Sequence, residues 1–188
     1  MKRIHPAWIV AGVTFLTLIA AAAFRSTTSV MFVPLETEFA WTRTQTSAAV
    51  TLNLIFYGLT APFAAVFMEK YSVKKVALAA LGLIGLGTVL TVWMTSLWQL
   101  VLYWGVMVGA GTGGLALVFA SIVANRWFVK RRGLVTGIFS AAYATGQLVF
   151  LPLIANMVTQ LGWRTGSLIV AGFVAVVIPI FILFFKNS

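Results

Sequence analysis

Eighteen consecutive residues near the start of the chain, "AWIVAGVTFLTLIAAAAF" at 7–24, carry no charge and almost no polarity. Five further runs of this kind follow. A water-soluble domain has too little interior to hide such stretches, because the surface of a small domain stays large relative to its volume. Hydrophobic residues make up 61% of the chain and charged ones 9%, so the bilayer has to serve as the solvent. Inside lipid every backbone N–H and C=O needs an internal partner, which leaves helices or a closed barrel. The runs are continuous rather than alternating, and this selects helices.

The expected fold is therefore all-α and membrane-embedded. Its six spans fall at roughly 7–33, 43–68, 75–95, 98–124, 133–158 and 165–185. Each reaches about 20 residues or more, enough for a hydrocarbon core of about 30 Å. The connections are short, so the chain reads as one bundle of 1–188. The opening residues also fit a signal peptide, with a basic start, an apolar core and an alanine-rich end. Cleavage there would leave five spans and break the charge alternation described next.

The net charge of +10 is unevenly placed. Lys2, Arg3, Lys70, Lys74, Lys75, Arg126, Lys130, Arg131, Arg132 and Lys186 fall on one side of the six spans; Arg43 and Arg164 fall on the other. Basic residues stay in the cytoplasm, which puts both termini there and suggests an inner membrane. Such loops suit anionic lipid headgroups, so the excess charge points to the lipid bilayer as a partner and not to nucleic acid. The chain has no cysteine, one histidine (His5) and three acids (Glu36, Glu38, Glu69). No catalytic triad or His/Cys metal site can be assembled from that inventory, so no enzyme activity, metal or cofactor is expected.

The second and fifth spans resemble each other at an offset of ninety residues. Pro62 answers Pro152, Ala65 answers Ala155, and "SVK" at 72–74 answers "GWR" at 162–164. The two spans cross the membrane in opposite senses, as an inverted three-plus-three repeat requires; such repeats mark secondary transporters. Polar residues keep the same offset. Asn53 and Tyr57 are four apart on the second span, Tyr143 and Gln147 on the fifth. Residues four apart share a helix face, so both helices carry a polar face near mid-span. That face either lines a cavity or supplies hydrogen bonds between helices.

Two motifs then bring a family into view. "FAAVFMEKYSVKK" resembles the cytoplasmic loop signature of the major facilitator superfamily, Gly-x-x-x-Asp-Arg/Lys-x-Gly-x-Arg/Lys-Arg/Lys. Glu69 stands at the Asp position, followed by Lys70, Lys74 and Lys75, while Ala65 and Ser72 replace the two glycines. "NRWFVKRRGLVTGIFSAAYATG" is similar to the fourth-loop and fifth-helix signature of the monocarboxylate and oxalate–formate branch, through Trp127, Phe128, Arg131, Arg132, Leu134, Gly137 and Gly146. The resemblance implies half of a major-facilitator fold, the N-terminal one, and a second six-helix half as partner. It implies a cytoplasmic gating loop of Glu69, Lys70, Lys74, Lys75, Arg131 and Arg132. Proton-coupled relatives often carry an arginine where Gly105 stands, and the proline-containing glycine signature of drug antiporters is missing from the fifth span. Both departures weaken a drug–proton antiporter reading.

Gly105, Gly109 and Gly113 recur every four residues on the fourth span. Small residues on one face allow close helix packing. A glycine-rich nucleotide loop would need a preceding strand, which an apolar helix does not provide.

One residue violates the apolar pattern. Arg25 lies about five residues beyond the centre of the first span, roughly 7–8 Å outward. A charge at the helix centre costs about 2.5–3.5 kcal/mol on insertion scales, and arginine does not escape by losing its proton. No carboxylate falls within any span. Water, a group from a second half, an anionic substrate or snorkelling to the interface could answer that charge. Thr28 and Ser29 extend the polar patch on the same helix face. The monocarboxylate branch has a basic residue followed by serine near this point, and "FRS" at 24–26 resembles it with Arg in place of the usual Lys; the resemblance implies a substrate-anion site at Arg25, with Ser29, Asn53, Tyr57, Tyr143 and Gln147 as further site residues. The leading expectation is half of a secondary transporter for a small organic anion. Its rivals are transport of a sugar or drug, and a non-transporting membrane protein.

Overall fold

A computed structural model describes residues 5–186. Lys2 and Arg3 lie outside the described residues. Six helices are long and apolar enough to cross a membrane. They are labelled α1 (Pro6–Phe39), α2 (Arg43–Lys70), α3 (Val73–Val92), α4 (Leu97–Trp127), α5 (Arg132–Leu161) and α6 (Trp163–Phe184).

The ends are set by capping groups that apolar windows do not register. Pro6 opens α1, where a missing N–H costs nothing, and His5 Nδ1 accepts from the Ala7 N–H at 3.3 Å. Thr42 and Gln45 form a reciprocal capping box at the start of α2. Ser72 caps α3 through the Lys75 N–H. The helix expected over 75–95 therefore begins at Val73 and stops at Val92. Gln99 Oε1 accepts from the N–H groups of Thr95 and Ser96 and starts α4 at once. Gly162 joins α5 to α6 at φ +87°, a conformation open to glycine. With 34 residues α1 is about 51 Å long, well beyond a core of about 30 Å.

The fourth span departs from a uniform helix. Val101–Val108 are π-helical, Gly109–Gly114 return to α geometry, and a break at 115–116 precedes a last segment, Leu117–Trp127. Glycines permit this, since nothing in their side chains enforces the regular ladder.

Polar side chains in the spans are largely turned back on their own helices. Thr17, Thr27, Thr91 and Thr112 each donate to the carbonyl four residues earlier, at 2.7–2.9 Å. The helices α1 and α4 are the most enclosed, while α2 and α5 leave most of their surface uncovered. The principal partnerships are α1 with α5, α2 with α4, α3 with α4 and α3 with α6. A repeat that maps spans one to three onto four to six exchanges the first two pairs, turns α3–α4 into the smaller α1–α6 contact, and maps the last onto itself. Pro62 and Pro152 both lie inside their helices, as that relation requires.

Candidate functional site

Arg25 sits half-buried on α1. Its guanidinium carbon lies 4.5 Å from the centroid of the Tyr57 ring on α2, a cation–π arrangement. Among the described residues it has no ion-pair or hydrogen-bond partner. Beside it lies a cavity of about 230 Å3, bordered by Arg25, Thr28 and Ser29 of α1 and by Val50, Asn53 and Leu54 of α2, with Phe32 at one side.

Asn53 serves two purposes. It borders this cavity, and its amide nitrogen donates to the Trp104 carbonyl at 2.8 Å. Trp104 lies in the π-helical stretch of α4, where the hydrogen-bond register is shifted and a side-chain partner helps to hold it. The cavity and packing readings of Asn53 therefore describe one residue.

Tyr143 of α5 turns inward. Its hydroxyl is buried and makes no well-aligned hydrogen bond, although Tyr57 and Arg25 are within electrostatic reach. The Tyr57 side chain lies within reach of it as a hydrogen-bond partner, and a buried hydroxyl left without one is costly. The side chain of Gln147 is half-buried, and its main-chain carbonyl accepts from Ser26 Oγ at 3.1 Å. The contact of Ser26, the serine of "FRS" at 24–26, was missed in the sequence. Ser26 stands next to Arg25 and so points to a different helix face, which spacing from Arg25 hides. Phe32 was missed as well; an i, i+7 search from Arg25 would have found it.

The three glycines of α4 meet α2. A Cβ on Gly105 would come within 3.2 Å of the Ala49 carbonyl oxygen, one on Gly109 within 2.8 Å of that of Asn53, and one on Gly113 against that of Tyr57. The two backbones thus touch at the residues that carry the polar face. Gly87, Gly111 and Gly146 make equally tight approaches, and the sequence reading did not single them out for packing.

At the basic end, Lys74 Nζ donates to the Ile182 carbonyl of α6 at 2.6 Å. Lys75, Lys70, Glu69, Arg131 and Arg132 are exposed or nearly so, and Glu69 forms no ion pair among the described residues. The two parts of the expected gating loop are thus not joined by an ion pair. The opposite end is tightly fastened. Glu36 accepts from Thr46 Oγ1 at 2.7 Å and pairs with Arg43. Glu38 pairs with Arg164 and accepts from the Trp163 indole, while Arg164 also donates to the Val92 carbonyl. The end of α1 is so bound to α2, α3 and α6. Among the described residues no group of three or more His, Asp or Glu could hold a metal ion.

Six helices of membrane-spanning length, with Arg25 inside the first of them, describe a multi-pass membrane protein. The family model of the Major Facilitator Superfamily matches residues 14–188, and the chain belongs to that superfamily. It is 28% identical over 169 residues to monocarboxylate transporter 12 of Mus musculus, covering 89% of this chain and 34% of that protein. Monocarboxylate transporter 4 of Gallus gallus is 30% identical over 167 residues, with 88% and 35% covered. Monocarboxylate transporter 3 of Mus musculus is 28% identical, with 88% and 33% covered. The chain spans about a third of the length of these relatives and corresponds to half of a major-facilitator fold within the branch that the loop signatures indicated.

Proposed function

We propose that this chain is the N-terminal half of a secondary active transporter that moves a small, monocarboxylate-like organic anion across the inner membrane by alternating access. A second six-helix half, in the same or a separate chain, completes the cavity. Both termini face the cytoplasm. The observation that carries this reading is Arg25: a permanent cation at membrane depth, stacked on Tyr57, beside a polar cavity and without a carboxylate partner among the described residues. The guanidinium fork suits a carboxylate. Asn53, Tyr57, Ser29, Tyr143 and Gln147 would complete the binding surface, with the buried Tyr143 hydroxyl a ready donor. Glu69, Lys70, Lys74, Lys75, Arg131 and Arg132 would hold one access state from the cytoplasmic side.

The test is uptake of radiolabelled lactate or pyruvate into vesicles by the transport-competent protein. Arg25→Ala should abolish uptake while leaving membrane insertion intact. Arg25→Lys should keep a fraction of it, because the charge remains and the fork does not. Undiminished uptake by Arg25→Ala would remove the anion site from Arg25.

A further inference from the structure

A second, open cleft of about 400 Å3, apolar for the most part and rimmed by His5, Lys130 and Arg131, lies at the basic end of the molecule. His5 and Trp8 of the α1 start line one wall; Trp127, Phe128, Lys130 and Arg131 line the other. Lys130 and Arg131 are exposed and without an ion pair among the described residues. Two of the three acids in the chain are engaged at the far end, and Glu69 lies in the last turn of α2. His5 uses Nδ1 as acceptor in the α1 cap, which leaves Nε2 to donate. Tryptophans at both walls place this cavity at headgroup depth.

Trp8 also borders a nearly wholly apolar cleft of about 210 Å3 between Phe15 of α1 and Val135 of α5. Phe15 and Ile138 in turn border a third, of about 340 Å3, that reaches Ile19, Val149 and Phe150. Trp8, Gly12, Phe15 and Ile19 form one stripe on α1 at helical spacing. A Cβ on Gly12 would meet nothing within 4 Å, so the cleft is open along this stripe. From Trp8 to Ile19 the stripe runs about 17 Å, close to half of a core of about 30 Å. The related seam between α2 and α4 is closed instead by Gly105, Gly109 and Gly113.

We propose that this seam binds one anionic glycerophospholipid from the leaflet on the basic face. Its phosphate lies between Lys130, Arg131 and the His5 Nε2, and one acyl chain runs along Trp8, Gly12, Phe15 and Ile19. The cationic head, the apolar tail and a tail length of one leaflet select this ligand over a free anion or a wholly apolar one. The site is separate from Arg25 and stands whatever the transported solute is.

Native mass spectrometry of the chain in a non-ionic detergent tests it, with dioleoyl phosphatidylglycerol, dioleoyl phosphatidylcholine, dihexanoyl phosphatidylglycerol and glycerol 3-phosphate as probes. The long-chain anionic lipid should bind about tenfold or more tighter than each of the others. Lys130→Gln with Arg131→Gln should remove that preference, whereas Lys70→Gln with Lys75→Gln should keep it. Gly12→Phe should weaken long-chain binding by about fivefold or more, since it fills the cleft without touching the core. Val149→Trp, which fills the deep end, serves the same purpose if Gly12→Phe aggregates. Equal binding of the two dioleoyl lipids would overturn the proposal. So would glycerol 3-phosphate binding as tightly as the lipid, which makes the site one for free phosphate. Equal loss in both lysine and arginine pairs would reduce it to diffuse surface charge, and unchanged binding in both cleft-filling variants would remove the acyl seam.

Discussion

Arginine keeps its proton at any depth in a bilayer, so the protein around Arg25 has to solvate it. The Tyr57 ring does part of this, and a desolvated cation–π contact is worth about 2 kcal/mol. Tyr57→Phe should therefore leave thermal stability in detergent nearly unchanged, because the ring remains. Tyr57→Leu should lower stability by about 1–2 kcal/mol, read as an earlier midpoint in a thermal unfolding assay. Equal effects of the two variants would mean that the hydroxyl and not the ring matters. Arg25 and Tyr57 were each legible in the sequence, as a charge and a polar residue in apolar runs. Their stacking was not. It depends on how α1 and α2 are rotated toward one another, and helical spacing fixes faces within a helix but not between helices. The same limit hid Ser26, which contacts the main chain of α5 from a face that Arg25 does not share.

At the scale of one helix, α4 is where sequence and structure diverge most. The glycine spacing announced a close approach, and the structure supplies the partner: Ala49, Asn53 and Tyr57, themselves spaced by four on α2. The π-helical turn preceding Gly109 left no mark in the sequence, since an extra residue in a turn changes no composition. Gly113 now carries a specific expectation. A Cβ there would collide with the Tyr57 backbone, so α2 would have to move away and take the ring from beneath Arg25. Gly113→Ala should cost about 1–3 kcal/mol in thermal unfolding. Gly137→Ala, where a Cβ meets nothing within 4 Å, is the matched control and should be neutral or slightly stabilising. Similar losses in both would detach the effect from the α2–α4 contact.

Across the whole molecule, the apolar runs announced six long helices, because the length of a span is set by the bilayer and not by details of packing; α1 runs on to Phe39, six residues beyond the expected 33. The inverted relation showed through the matched prolines and polar pairs, which a repeat preserves where helix faces serve the same purpose. Cap positions were less legible, since His5, Thr42, Ser72 and Gln99 act through one or two hydrogen bonds that periodicity does not register. Topology offers a clean experiment in a chain without cysteine. A single cysteine at Ser72 should react with a membrane-impermeant maleimide from the cytoplasmic side only, and one at Thr37 from the other side only. The reverse pattern would invert the proposed orientation.

The ion pairs that gather α2 and α6 onto the end of α1 also bear on how the chain is made. In the proposed orientation Arg43 and Arg164 are the two cations beyond the outer ends of the spans, and their hydration must be given up as they are carried over. Glu36 precedes Arg43 by seven residues, so acid and base emerge from the ribosome together and can traverse the translocon as a neutral hairpin. Arg164 is synthesised much later, when Glu38 is already in place on the far side to receive it. The order of residues along the chain thus lets each outward-moving cation arrive at a waiting or accompanying carboxylate, while every uncompensated basic loop stays on the side where synthesis occurs.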